Sequence, residues 1–457
     1  MNLIYQCIID LNEIDEKLSS FNCYFLFENT EIFTNENKLI LKMQTEFDDK
    51  KAMDIMIDAS AKNRPKLIAI LDIISFLTGT TINVYDIKER LGLSGFNVTK
   101  TELFPQHKKT QFIYNSIDIT KELDKIIDSF KKEKFLVASV LDKWNKANFL
   151  INSDDSSVLY VDEAILNYLH IFELLSETVK KDYDSQIENS LEYVMTEFYN
   201  QTSFYTNDIK SKINENKKAI KRLLVGEFPA FKDKLKYFLN KYQLLDENTS
   251  FFIDELIKLR NSIAHGRVIR NMNIMEYPLT PFFNISSTKR DAVNPLMFLT
   301  ATCISKYIGI NLWHNEWLYI KKNLQPANAQ IKKYLNGEVT DILINSDDIS
   351  NINWYSLFRF YIDSNSKYRG KVEQKVKLEL LKIPFEELLL SEIFELSVVL
   401  STTDDKEFFL ILKNILQKSI GTHTYHWSNY KDIFSYLESR NYETKKIREI
   451  IKQIVEE

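Results

Sequence analysis

Residues 248–267 read NTSFFIDELIKLRNSIAHGR, and the fold follows from how that string lies on a helix. Thr249 or Ser250 is suited to cap it, Asp254 and Glu255 favour its positive end, and Gly266 supplies a stop, which predicts roughly four turns. On a 3.6-residue wheel Phe252, Leu256, Leu259 and Ile263 form one stripe, and Ile253, Ile257 and Ala264 form a second beside it. An apolar face that wide requires more than one packing neighbour. Arg260 projects at the seam of the stripes, with Asn261 and His265 about 100° and 140° further round, stacked one above the other. A guanidinium, an amide and an imidazole thereby converge beside apolar surface.

Taken singly, an arginine here would pair with an acidic neighbour, and a histidine at a helix end would sit against the negative dipole pole. The whole string reads differently. Arg260-Asn261, then His265-Gly266 at the end of a helix in a helical setting, resembles the R-x4-6-H motif of HEPN domains. The wording LRNSIAHGR is most similar to the Apea-like branch, whose members are mostly prokaryotic RNA-cleaving toxins and phage-defence proteins. WNKA and YLHIFELLSE upstream resemble the helical lead-in of that branch, and are much less specific than the motif.

The resemblance implies an endoribonuclease with Arg260, Asn261 and His265 as catalytic residues, no cofactor and no metal. It also implies a homodimer with both motifs facing one groove. The stripe of Ile253, Ile257 and Ala264 suits that contact, although packing inside the bundle covers it equally well. The chemistry agrees with the residue types. RNA carries its own nucleophile, the 2′-hydroxyl, so the protein needs only a proton-transfer group near neutrality and positive charge for the phosphate oxygens. Histidine and arginine meet those needs and would leave a 2′,3′-cyclic phosphate and a 5′-hydroxyl.

At 457 residues the chain has room for two or three cores, and its 30 Phe and 23 Tyr supply them. A net charge of -5 gives no global nucleic-acid signature, so any RNA site must be local. Four of the 11 arginines, Arg260, Arg267, Arg270 and Arg290, cluster at the motif, and the last three are the candidate RNA-binding residues. Cys7, Cys23 and Cys303 have neither metal-ligand nor disulfide spacing. The start, MNLIYQCIIDLNEIDEK, lacks a basic leader, and no apolar run reaches membrane-spanning length. A cytoplasmic protein with no membrane contact is the expectation.

Up to about residue 48, LIYQCII, CYFLF, TEIFT and KLILKMQ predict strands separated by Asn- and Glu-rich turns. A helix is expected to begin at Pro65 and stop at Gly79, with TINVYDI and TQFIYNSI as further strands. Helical periodicity dominates from Asp118 onward, and residues 267–289 read as a loop before a helix at about 291–309. The predicted chain is predominantly α. It comprises an α+β part at 1–118, a HEPN-like antiparallel helical bundle at 119–315 and a helical domain at 316–457.

His423 and His426 lack further ligands at zinc spacing, and His170 and His314 read as packing residues. Phosphate-loop, dinucleotide and serine-hydrolase motifs do not occur. Three functions stay open on the sequence: a toxin or antiphage ribonuclease, a catalytically silent RNA-binding or protein-interaction module, and a helical regulatory scaffold. A regulatory protein or phage-derived trigger is an expected partner of the first, acting through the outer domains.

Overall fold

The computed structural model describes residues 2–46, 55–94, 109–152, 160–202, 206–225, 230–264, 284–322, 324–339, 344–345, 351–422, 433–434, 437–438 and 442–456. The chain divides into two compact units. One comprises Met1–Phe238 with Leu296–Asn315, and the other Leu239–Pro295 with Glu316–Glu457.

The first unit opens with β1 (Asn2–Asp10), β2 (Asn22–Phe27), β3 (Thr30–Asn35) and β4 (Lys38–Glu46). Helix α1 (Ile55–Thr78), β5 (Ile87–Ser94), β6 (Gln111–Tyr114) and β7 (Ile117–Asp118) follow. Among the described residues the seven strands form one antiparallel sheet in the order β5-β1-β4-β3-β2-β6-β7. Alternation sets its buried face: Tyr5, Cys7 and Ile9 of β1, and Leu39, Leu41 and Met43 of β4, are all buried. Glu36 and Asn37, both at positive φ, form the two-residue turn that matches strand twist between β3 and β4.

Two expectations for this region need correction. Pro65 lies inside α1 rather than at its start, since the helix begins at Ile55, ten residues earlier; there a proline forfeits one backbone bond and crowds the carbonyl four residues before it. TINVYDI is not a strand up to Ile87. Asn83 and Asp86 cap one another around a short 3-10 turn, Asn83 N–H donating to the Asp86 carboxylate at 2.5 Å, and that local bond competes with sheet pairing. TQFIYNSI proves to be a hairpin, β6 and β7 joined by Asn115 and Ser116 at positive φ.

The helices of the first unit are α2 (Thr120–Asn152), α3 (Val161–Thr178), α4 (Lys180–Thr202) and α5 (Thr206–Val225). Glu133 has non-helical backbone and marks a kink in α2. Phe76 of α1 packs edge-on to Trp144 of α2 with centroids 5.1 Å apart, and Trp144 lies 5.6 Å from Trp313. Gly79 ends α1 at φ +75° directly beneath Trp313.

The division between units falls within α6 (Phe231–Lys241) and α8 (Asn284–Ile308), so residues 119–315 contribute to both units. Helix α8 begins at Asn284, inside the segment expected to be loop. The second unit carries α7 (Glu247–Ala264) and, after α9 (His314–Lys321), α10 (Asn328–Leu335), α11 (Trp354–Asp363), α12 (Ser366–Leu380), α13 (Leu390–Leu400), α14 (Lys406–Thr422) and α15 (Lys445–Glu456). One core joins α11 to α15 through Trp354, Phe358, Val376, Phe394, Leu412 and Ile451. The protein is thus predominantly helical, with a small N-terminal antiparallel sheet and helix preceding the larger helical region.

Candidate functional site

Helix α7 starts two residues before the expected cap. The Asp246 carboxylate accepts the Thr249 N–H at 2.8 Å, so Asp246 is the capping acceptor and Thr249 is buried in the first turn. Burial alone would raise the Asp246 pKa. The ion pair with Lys321 and the bonds from Thr249 outweigh it and hold the carboxyl below its usual range. Glu247 pairs with Lys333 at 3.0 Å, and Asn248 Oδ1 accepts the Ala327 N–H at 3.2 Å. The start of α7 is therefore anchored to the segment that runs from α9 into α10.

Further along, Ile253 and Leu256 are fully buried, while Phe252, Ile257, Leu259 and Ile263 are half-buried. Both predicted stripes therefore carry a buried residue, whereas Ala264 is exposed. Lys258, exposed, pairs with Glu255 at 2.7 Å, which with nearby Asp254 and Asp363 raises its pKa. In the last turn Arg260 Nη1 donates to Asn261 Oδ1 at 3.3 Å, with Arg260 half-buried and Asn261 exposed. A guanidinium fork suits bidentate phosphate binding, and the neighbouring amide fixes its direction.

Arg260 and Asn261 are thus brought together. His265, Arg267 and Arg270 lie outside the described residues, and Arg290 belongs to α8 by its backbone. His423 and His426 also lie outside them. Among the described residues no group of three or more His, Cys, Asp or Glu side chains is placed to hold a metal ion. Cys7, Cys23 and Cys303 are buried, and burial raises the thiol pKa of Cys23 and Cys303. Among the described residues no helix is long and apolar enough to cross a membrane.

The sequence reading passed over one titratable group. Asp72 lies in the apolar run of α1, buried, with its pKa pushed up to about 7 by desolvation against a hydrogen bond from Asn145. A carboxylate within LIAILDIISFL was the available signal.

No family model matches the chain, and comparison with curated proteins and with solved structures found no match.

Proposed function

We propose that the protein is a metal-independent endoribonuclease of the HEPN type, acting in toxin or antiphage defence. The observation that carries this reading is the pairing of Arg260 with Asn261 on the last turn of α7, with His265 four residues after Asn261 in the chain. In this mechanism the RNA 2′-hydroxyl attacks its own phosphorus and gives up its proton to the His265 imidazole. Arg260 neutralises the phosphate oxygens as they gain charge, and Asn261 orients the guanidinium or the imidazole. The bond from phosphorus to the 5′ oxygen breaks, that oxygen takes a proton, and a 2′,3′-cyclic phosphate remains.

One helix supplies one such set, so the working unit is a homodimer with two motifs on a shared groove. Arg267, Arg270 and Arg290 would bind phosphates and position the RNA without reading its sequence. A regulatory protein or phage-derived trigger would act through the remaining domains. The test is single-turnover cleavage of a long unstructured RNA by Arg260→Ala and Arg260→Lys. Both should lose activity, the lysine variant because a point charge does not replace the fork. Full activity in Arg260→Ala would refute the assignment.

A further inference from the structure

Helices α10 and α12 lie side by side in the second unit, and cations gather along the seam between them. Lys375 of α12 stands over the Tyr334 ring of α10 at 4.6 Å, and Lys371 donates at 2.6 Å to Oδ1 of Asn336, just past the end of α10. Two ammonium groups, Lys332 from α10 and Lys371 from α12, stand over the ring of Tyr368 at 5.3 and 5.7 Å. That ring is half-buried, and Phe360 fixes it edge-on with centroids 5.8 Å apart. Lys367 and Lys371, four residues apart on α12, share one face and are spaced about 6 Å along the axis.

The acidic groups around this seam are already engaged. Glu247 pairs with Lys333, and Glu379 pairs with Lys375 and Lys382. Glu373 accepts the Tyr361 hydroxyl, and Glu338 accepts the Asn336 amide. Among the described residues Lys332, Lys367 and Lys371 have no carboxylate partner, so three unmatched cations surround one aromatic ring on a chain of net charge -5. Such a local excess draws an anion. We propose that the seam between α10 and α12 binds single-stranded RNA, with a base stacked on Tyr368 and the neighbouring phosphates on Lys332, Lys367 and Lys371. An aromatic platform beside backbone-tracking cations is the combination that holds unpaired strands, whereas a duplex keeps its base faces covered. An acidic peptide supplies charge but no flat ring to stack.

The choice of RNA rests on the ribonuclease reading, and the seam lies on the same unit as its motif. Glu247, at the start of α7, pairs with Lys333 of α10. Lys258, two residues before Arg260, has its pKa raised by Glu255 and also by Asp363, which lies four residues before Lys367. The seam thus selects unpaired strands for the unit that carries Arg260 and Asn261.

Fluorescence anisotropy on the full chain tests it, with a labelled 2′-O-methyl oligouridine of about 12 nucleotides that lacks the attacking hydroxyl and cannot be cut by this route. Lys332→Gln/Lys371→Gln should weaken binding about tenfold and flatten the plot of log affinity against log salt by about 1.4, for two lost phosphate contacts. Tyr368→Leu should lose about tenfold, while Tyr368→Phe, which keeps the aromatic face, should bind as wild type. Circular dichroism should be unchanged in each. A wild type that does not bind, equal affinity for the oligomer in a duplex, displacement by polyglutamate as readily as by unlabelled oligouridine, or unaltered binding by the lysine variant would each overturn the proposal. Cleavage of ordinary RNA is scored separately. A chain that binds through these residues and cuts nothing supports the seam and refutes the ribonuclease reading, and an active ribonuclease whose lysine and leucine variants bind as wild type refutes the seam alone.

Discussion

The Asn145 side-chain amide donates to the Asp72 carboxylate at 2.8 Å, joining α2 to α1 inside the first unit, and Asn145 Nδ2 also lies 3.3 Å from the Ile82 carbonyl. Asn145 Oδ1 is buried without a hydrogen-bond partner among the described residues, so a protonated Asp72 suits this site better than a charged one. The nearest charges oppose each other, Asp142 raising and Lys146 lowering the Asp72 pKa, and they pair with each other at 2.7 Å.

Because the folded pKa, about 7, lies above the ordinary 3.8, the unfolded chain loses this proton first as pH rises. Stability is therefore fully present below about pH 4, falls through neutrality and levels off above pH 7. Asp72→Asn should remove that slope. Its advantage over wild type should grow from nothing at acid pH to an order of 4 kcal/mol at pH 8, from roughly three pKa units. Urea melts of both proteins at several pH values check it, and parallel profiles would contradict it.

Gly79→Ala should destabilise by at least about 2 kcal/mol, from positive φ together with overpacking. Its added Cβ would lie 2.8 Å from the Trp313 ring. Thermal melts followed by tryptophan fluorescence would register the loss. An unchanged midpoint would mean that the ring shifts without cost.

Asp246→Ala should cost about 1 kcal/mol through loss of the cap, whereas Asp246→Asn should keep most of it. The Asp246 pKa is depressed in the fold, so its contribution is present above the ordinary carboxylate range and fades as pH falls through the folded value. Hydrogen exchange in the first turn of α7 distinguishes the two variants. Equal protection in both would show that the cap is unimportant.

How much was legible follows from how local each signal is. Alternation in KLILKMQ and the Glu36-Asn37 turn lie within a few residues of one another, and the β3–β4 hairpin could be read directly. Pro65 misled because proline favours a helix start, whereas here it sits ten residues inside α1, a position that local propensity disfavours. The strand expected at TINVYDI failed because the cap between Asn83 and Asp86 depends on side-chain geometry that apolar patterning does not register. At the candidate site, the adjacency of Arg260 and Asn261 was visible in the string. The anchoring of α7 by Lys321 and Lys333 was not, since those partners lie far along the chain. Asp72 was missed for the same reason, its partner being 73 residues away.

Neutralising Arg267, Arg270 and Arg290 together should weaken RNA binding for all sequences alike. For single strands each lost phosphate contact flattens the plot of log affinity against log salt by about 0.7. Three lost contacts therefore reduce the slope by about 2, as fluorescence anisotropy would show. An unchanged slope would remove these residues from the RNA path.

The most direct measurement is of product ends and rate, for wild type and His265→Ala, with RNA in excess EDTA. The wild type should cleave under chelation and leave 2′,3′-cyclic phosphate and 5′-hydroxyl ends. His265→Ala should keep its fold and oligomeric state and lose about 10²- to 10⁴-fold in rate. Undiminished cleavage by folded His265→Ala, or wild-type cleavage that chelation abolishes and that leaves 3′-hydroxyl ends, would contradict the mechanism.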